Sequence, residues 1–266
     1  MAFNIAGQYP VALITGASSG IGAAYAEHLA RAGCDLVLVA RRAERLEALA
    51  DELRAAYGRR IEVIPADLTA VAAGAALAAA VAERGIEVDL LVNNAGFASV
   101  GSFHSLDAVH EHREILLNAA AVVDLCHAFV PGMLERGRGG IINVASLAGF
   151  QPLPYMSVYA ATKAFVRSFS QGLWGEVHGQ GLRVLCVCPG PVDTPFFEVT
   201  GKSGLRKTVP RGMMASADDV VADSLKALQR GSTVLVPGIG NRLAAVGSWL
   251  MPRNLLTRMT AQVMRR

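Results

Sequence analysis

The sequence predicts an α/β fold: one doubly wound domain on a seven-stranded parallel sheet, with helices on both faces. Two observations carry this. Seven short apolar runs alternate with helix-patterned stretches along the chain, the signature of repeated β–α units. The runs are continuously apolar and do not alternate in polarity, as strands covered on both faces require. No stretch rich in Pro, Gly and Ser divides the 266 residues, so they read as a single domain (1–266).

The strands expected are VALIT (11–15), DLVLVA (35–40), IEVIPA (61–66), DLLVN (89–93), GIINVA (140–145), LRVLCVC (182–188) and TVLVP (233–237). Between them, AERLEALADELRAAYG (43–58) places Leu46, Leu49, Leu53 and Tyr57 on one helical face and stops at Gly58. TAVAAGAALAAAVAERG (69–85) reads as a helix capped by Thr69 and ended by Gly85. Residues 189–219 carry four prolines and four glycines. A connection that long inside a compact domain reads as a substrate loop. The tail, 240–266, reads as two short helices broken at Pro252, with Leu243, Val246, Trp249 and Leu250 on one apolar face.

Composition narrows the class. With 52% hydrophobic and 18% charged residues the chain is too apolar to be disordered. A chain of this length buries about 75% of its unfolded surface, so it needs no metal or disulfide staple. Of Cys34, Cys126, Cys186 and Cys188 only the last two are close, on one strand face and without a His cluster. They read as buried hydrophobes, and no metal is expected. Reduced cysteines suit a cytoplasmic protein. The first residues, MAFNIAGQYP, lack a signal-peptide pattern. No run of about 18 uninterrupted apolar residues suggests a membrane span. Net charge is +3, and no nucleic-acid partner is expected. The charge is uneven, however: no acidic residue follows Asp223, while Lys226, Arg230, Arg242, Arg253, Arg258, Arg265 and Arg266 do. Such a tail is a lead to a partner or a surface.

The first strand runs into TGASSGIG, 15–22. Gly16, Gly20 and Gly22 allow a tight turn, close approach of backbone to a phosphate, and close helix–strand packing. The helix that follows aims its free N–H groups at an anion. This strand–turn–helix context is what a Rossmann-type dinucleotide site needs. An NAD site would place an acid about 20 residues on, for the ribose 2′-hydroxyl. Arg41 stands there, with Arg42 behind it. A guanidinium pairs with a 2′-phosphate, so the reading favours NADP(H). Two arginines at a helix start also oppose the helix dipole, which a phosphate partner would offset.

TGASSGIG, ADL (66–68), NNAG (93–96), Asn118, Ser146, YAATK (159–163) and PGPVDT (189–194) occur in the order found in the short-chain dehydrogenase/reductase family, and the chain resembles that family over nearly its whole length. The text around VLVARRAERLEALADEL and VLVPGIGNRL looks most like its NADPH-using bacterial reductases. The resemblance implies a cofactor site from Gly16, Ser18, Ser19, Gly20, Ile21, Gly22 and Arg41, with Asp67 and Leu68 flanking the adenine. Asn94, Ala95 and Gly96 would line the nicotinamide ribose. Pro189, Gly190 and Tyr159 would also belong to the cofactor site, with Val192 and Thr194 holding the carboxamide and Lys163 the ribose. It implies that Ser146, Tyr159, Lys163 and Asn118 are catalytic, and that the protein is a homodimer or homotetramer.

Chemistry supports those roles independently. Hydride addition to a ketone builds an alkoxide, which needs a proton and hydrogen-bond donors at its oxygen. A phenol with a pKa near 10 exchanges protons poorly at neutral pH unless its anion is stabilised. Lys163, one helical turn beyond Tyr159, supplies that positive charge. Ser146 would hold the carbonyl oxygen, and Asn118 would help return protons to Lys163. Tyr and Lys four apart also occur on helices that do nothing but pack. The glycine turn and NNAG tip the balance.

The residues proposed for the substrate are Phe97, Ser146, Leu147, Tyr155, Phe196 and Phe197, with Phe150, Leu153, Met156, Met213 and Met214 nearby. An apolar set of this kind suits an acyl, steroid-like or aromatic carbonyl compound or alcohol. Lys202, Arg206, Lys207 and Arg211 read as solvated loop charges. The expected activity is that of an NADP-dependent carbonyl reductase or secondary-alcohol dehydrogenase. Two alternatives stay open: a catalytically silent NADP-binding regulatory protein, and a membrane-surface lipid reductase that makes peripheral contact through its basic tail. For the tail, pocket closure or subunit contact ranks ahead of membrane.

Overall fold

The computed structural model describes residues 4–196 and 214–265. In chain order its elements are α1 (Ile5–Gln8), β1 (Val11–Thr15), α2 (Gly20–Arg31), β2 (Asp35–Ala40), α3 (Ala43–Tyr57), β3 (Ile61–Pro65), α4 (Ala73–Ala82), β4 (Leu90–Asn93), α5 (Ala108–Ile115), α6 (Ala121–Glu135), β5 (Gly139–Val144), α7 (Ser157–Val177), β6 (Leu182–Val187), α8 (Ala217–Gln229), β7 (Val234–Leu235), α9 (Ile239–Leu250) and α10 (Arg253–Met264). The strands form one seven-stranded sheet in the order β3-β2-β1-β4-β5-β6-β7, and every pairing is parallel. The order reverses between β1 and β4. Above the carboxyl ends of those strands an open α/β sheet leaves a crevice for ligand.

The apolar runs are strands because both of their faces are covered. In β1, Ala12 and Ile14 pack into the layer formed by α2, α3 and α8. Leu13, between them, packs into the opposite layer, from α4, α6 and α7. β2 repeats the pattern, with Leu36 and Leu38 on one side and Val37 and Val39 on the other. Burying a Leu, Ile or Val fully contributes about 1.5–3 kcal/mol each, so a one-residue slip in register would exchange the packing of both layers.

Two sequence expectations shift. The helix expected from Thr69 begins at Ala73, and Ala72 before it is left-handed at φ 59°. Thr69 is occupied instead: its backbone N–H and its hydroxyl both donate to Asp67 Oδ1, at 3.1 and 2.8 Å. The last strand keeps only Val234–Leu235 of its expected five residues. The helical run 108–135 contains an 18-residue window with a mean hydropathy of 1.6, and is long and apolar enough by composition to cross a bilayer. Its apolar residues Leu125, Cys126 and Met133 pack in the core, and Glu111, Glu114 and Asn118 are buried on it. It is a core helix by packing. The break at Pro252 divides α9 from α10 as the sequence implies.

Candidate active site

The glycine turn and the NNAG segment form one unit across the switch point. Gly16 and Gly20 adopt φ of 66° and 58°, a left-handed conformation that costs a side-chain-bearing residue about 1–2 kcal/mol. A Cβ on Gly22 would stand 2.3 Å from the carbonyl oxygen of Gly16, and one on Gly16 would stand 2.8 Å from Ala95 Cα. Thr15 ties the two segments: its hydroxyl accepts from the N–H groups of Asn94 and Ala95, both at 3.0 Å, and donates to Val92 O. The Asn94 amide donates to Thr15 O at 2.9 Å, so this side chain braces the turn. Ser19, which precedes α2, makes no side-chain cap, and this leaves the first N–H groups of the helix available to an anion. With no Cβ at 16 or 20 the turn presents bare backbone to the cleft, which fits a dinucleotide pyrophosphate.

Three guanidiniums gather where an adenosine end would lie. Arg41, Arg42 and Arg45 line the same cleft of about 640 Å³ as the glycine turn, and Arg42 Nη2 donates to Ser18 Oγ at 3.0 Å. None has a carboxylate ion partner among the described residues. Partial desolvation and the like charges of Arg45 and Arg41 lower the pKa of Arg42, so an anion here would be stabilised. Asp67 is held by Thr69 and by Arg113 Nη2, at 3.1 Å. Burial pushes the Asp67 carboxyl up, but the Thr69 hydrogen bonds and the charges of Arg113 and Arg41 outweigh it and leave the pKa lowered.

The residues expected to react converge at the ends of β4 and β5. Ser146 caps a short 3-10 turn, Leu147–Phe150, with its Oγ accepting from Ala148 N at 3.1 Å. That turn packs directly on α7: a Cβ on Gly149 would stand 2.7 Å from Lys163 O. α7 then presents Tyr159 and Lys163 one turn apart. Lys163 is 5% exposed; its Nζ donates to Val144 O at 2.8 Å and lies 5.7 Å from the centroid of the Tyr159 ring. Burial pushes the Tyr159 phenol up to about 12, opposed by a hydrogen bond with Ser146. Burial also pushes Lys163 down to about 8. Asn118 sits in a π turn, Leu116–Ala120, a device common at functional sites. Fully buried, it accepts from Phe97 N at 3.1 Å and donates to Phe97 O at 2.8 Å. A Cβ at Gly96 would stand 2.9 Å from Asn118 Oδ1 and 3.5 Å from Lys163 Nζ, so any larger residue here would displace the Asn118 amide.

Residues 10–203 match the family model described as short chain dehydrogenase, most of the chain. The chain belongs to the short-chain dehydrogenase family. It is 40% identical to a short-chain dehydrogenase from Sphingobium yanoikuyae solved in complex with NADPH, with a TM-score of 0.81 over 91% of this chain and 93% of that one. It is 35% identical to a bulky-bulky ketone specific alcohol dehydrogenase from Comamonas testosteroni, with a TM-score of 0.77 over 92% and 94%. Among curated proteins it is 38% identical to the sulfoacetaldehyde reductase of Chromohalobacter salexigens, over 80% of this chain and 85% of that one.

In this short-chain dehydrogenase the 189–194 segment closes over the glycine turn. Leu147 N donates to Pro189 O at 2.8 Å, and a Cβ on Gly20 would stand 3.2 Å from Thr194 Cβ. A Cβ on Gly190 would stand 2.4 Å from the Asn241 side chain, so Asn241 of α9 packs against the same segment. Phe97, Leu147, Leu153, Met156 and Phe196 line the cleft together with Tyr159, and the Phe196 and Tyr159 ring centroids are 5.7 Å apart. Phe150 does not line it. That ring faces a second cavity of about 790 Å³, between α8, β7 and α9, which holds none of the residues expected to react. Phe197, Met213, Lys202, Arg206, Lys207 and Arg211 lie outside the described residues.

Tyr155 stands beside the cleft, not on its wall. Its backbone is left-handed at φ 67°, its carbonyl accepts from Gly101 N at 2.9 Å, and its hydroxyl accepts from Arg265 Nε at 2.6 Å. The contact anchors the end of α10. There Met264 packs with Ala98, Val100, Met156 and Tyr159. Thr260 Oγ1 donates to Pro152 O, and Arg253 Nη1 and Ser248 Oγ donate to Phe150 O, each at 3.3 Å. Sequence reading missed Arg45, Arg113, Glu114 and Arg265 as neighbours of the site. Of these only Glu114 left a signal, an acid one turn before Asn118 on the same helical face.

Proposed function

We propose that this short-chain dehydrogenase is an NADPH-dependent carbonyl reductase, running in reverse as a secondary-alcohol dehydrogenase, and that its substrates are hydrophobic ketones or alcohols. The observation that carries this reading is the placement of Tyr159 and Lys163, one helical turn apart, in the same cleft as the glycine turn and three arginines. Gly16 to Gly22 and the open start of α2 would seat the pyrophosphate, and Arg41 and Arg42 the 2′-phosphate. The NADPH-bound Sphingobium relative supports that choice. Bound there, NADPH supplies a hydride.

Ser146 orients the carbonyl oxygen toward Tyr159. Tyr159 donates its phenolic proton to that oxygen as negative charge develops. Lys163 stabilises the phenolate left behind by its charge, which acts at close range in a dry site. Asn118 fixes Phe97, and with it the strand end that borders Lys163. The apolar lining excludes water and suits a bulky ketone, in line with the Comamonas relative's specificity.

The test is NADPH oxidation followed by absorbance against a panel of aromatic, steroid-like and acyl ketones, with Tyr159→Phe beside the wild type. Turnover in the wild type, with loss of at least ~10³-fold in the variant and unchanged NADPH binding, is expected. Equal turnover in the two proteins would remove Tyr159 from its role. NADPH binding without turnover of any carbonyl compound would favour a silent NADP-binding protein.

A further inference from the structure

Glu114 is an acid in an expensive place. It lies on α5, is 0% exposed, and stands one turn before Asn118, so both project from one helical face. That face grips a single segment: Asn118 holds the N–H and C=O of Phe97, and Glu114 Oε2 accepts from Ser99 N at 2.8 Å. The other oxygen, Oε1, is buried with no hydrogen-bond partner among the described residues. If all that position had to do were to hold one N–H group, a neutral amide would suffice, without the cost of burying a charge.

The charged and titratable groups around it come from three elements. Burial pushes the Glu114 carboxyl up against the hydrogen bonds from Ser99, and Glu111, which shares its helix, adds to the rise while Lys163 opposes it. Tyr159 and Lys163 face it from α7, which packs against α5. Cys186 and Cys188, buried at the end of β6, face Lys163 from the far side. Lys163 is thus the one cation coupled to Glu114 among the described residues, and it makes no direct ion pair within 4.0 Å. Two buried groups of opposite charge interact here through a medium that screens them poorly.

We propose that Glu114 is a positioning residue, the buried counter-charge that keeps Lys163 an ammonium and Tyr159 a neutral phenol inside the closed site. The proposal rests on the roles given above to Tyr159 and Lys163. Both effects have one sign. A carboxylate nearby raises the pKa of Lys163 and of Tyr159 alike; the first keeps the stabilising charge and the second keeps the proton to be donated. Neutralising Glu114 therefore moves the alkaline limit of carbonyl reduction to lower pH, and moves the acid limit of alcohol oxidation the same way.

Glu114→Gln keeps the shape and the acceptor for Ser99 N–H, and Glu114→Met is a second neutral variant suited to burial. Glu114→Asp keeps the charge. Three readouts apply to each: NADPH affinity, pH–rate profiles in both directions, and the ionisation of the Tyr159 phenol followed by ultraviolet difference absorbance against Tyr159→Phe. The expected result is unchanged NADPH affinity, a downward shift of about half to one pH unit in both profiles and in the phenol midpoint for the neutral variants, and restoration toward the wild type in Glu114→Asp. Neutral variants that change only the melting temperature, with profiles and phenol midpoint unmoved, overturn the proposal and leave Glu114 a structural tie to Ser99. The phenol titration needs no turnover, so it reads Glu114 even if no carbonyl substrate is found.

Discussion

The two sides of the cleft are held together by different means. The cofactor side is fixed by what is absent: at Gly16 and Gly22 any side chain would collide with backbone 2.8 and 2.3 Å away, and Thr15 bolts the two segments together. The substrate side is fixed by side chains that arrive from far along the chain, such as Arg265 on Tyr155 and Thr260 on Pro152. A site built from backbone contacts tolerates no change at a few positions. One built from distant side chains is adjustable, so variation in substrate should fall on the second side and leave the first untouched.

The largest effect expected on this contrast is Gly22→Val. Its Cβ would meet the Gly16 carbonyl, so NADPH affinity falls by at least ~100-fold, or the protein loses several kcal/mol of stability. Calorimetric titration and thermal unfolding distinguish these outcomes. A variant that binds normally would break the idea that backbone clearance governs this side.

Lys163→Met comes next, with losses in both activity and stability. Burial holds Lys163 at about 8, below its usual 10.5. A folded-state value below the unfolded one means that the native protein binds fewer protons over that interval. This group's contribution to stability therefore rises with pH from about 8 to 10.5. Carbonyl reduction, which uses the ammonium, falls over the same window. Lys163→Met is expected to abolish turnover and to lower the melting temperature, because it leaves the Glu114 carboxyl buried without its counter-charge and Val144 O without its donor. A melting temperature at or above that of the wild type would contradict this.

A smaller change is expected at Arg41→Asp, which weakens NADPH binding about tenfold or more and improves NADH relative to it. The ratio of kcat/KM for the two cofactors reads this, and an unchanged ratio would mean that Arg42 and Arg45 carry the selection. The smallest is Arg265→Gln, which unpins α10: KM for bulky ketones shifts about two- to fivefold while KM for NADPH stays put. If both constants move together, the two sides of the cleft are less independent than their construction implies.

Much of this was legible in the sequence, for identifiable reasons. The seven strands were visible because both of their faces are buried, so each is an unbroken apolar run. The glycine turn and the Tyr159–Lys163 pair were visible because their constraints are local, within one turn of backbone. What stayed hidden depends on distant partners or on competition for one side chain. Thr69 looks like a helix cap until Asp67 claims both its donors. Asn94 lines the cleft as the motif implies, but its second task, donating to Thr15 O, leaves no mark in the sequence. Tyr155 was taken for a pocket wall because the 110 residues that separate it from Arg265 conceal its partner.

Tyr155 also holds a conflict between sequence and backbone. Its left-handed φ of 67° costs a tyrosine about 1–2 kcal/mol that glycine would not incur, against about 0.5–1 kcal/mol of extra chain entropy for glycine. Most substitutions that open an enzyme's pocket trade stability for room. Here part of that cost is returned: Tyr155→Gly relieves local frustration as it gives up the hydrogen bond that fastens α10 through Arg265. For an engineer seeking to admit larger ketones, position 155 is where released backbone strain offsets part of the contact that is lost.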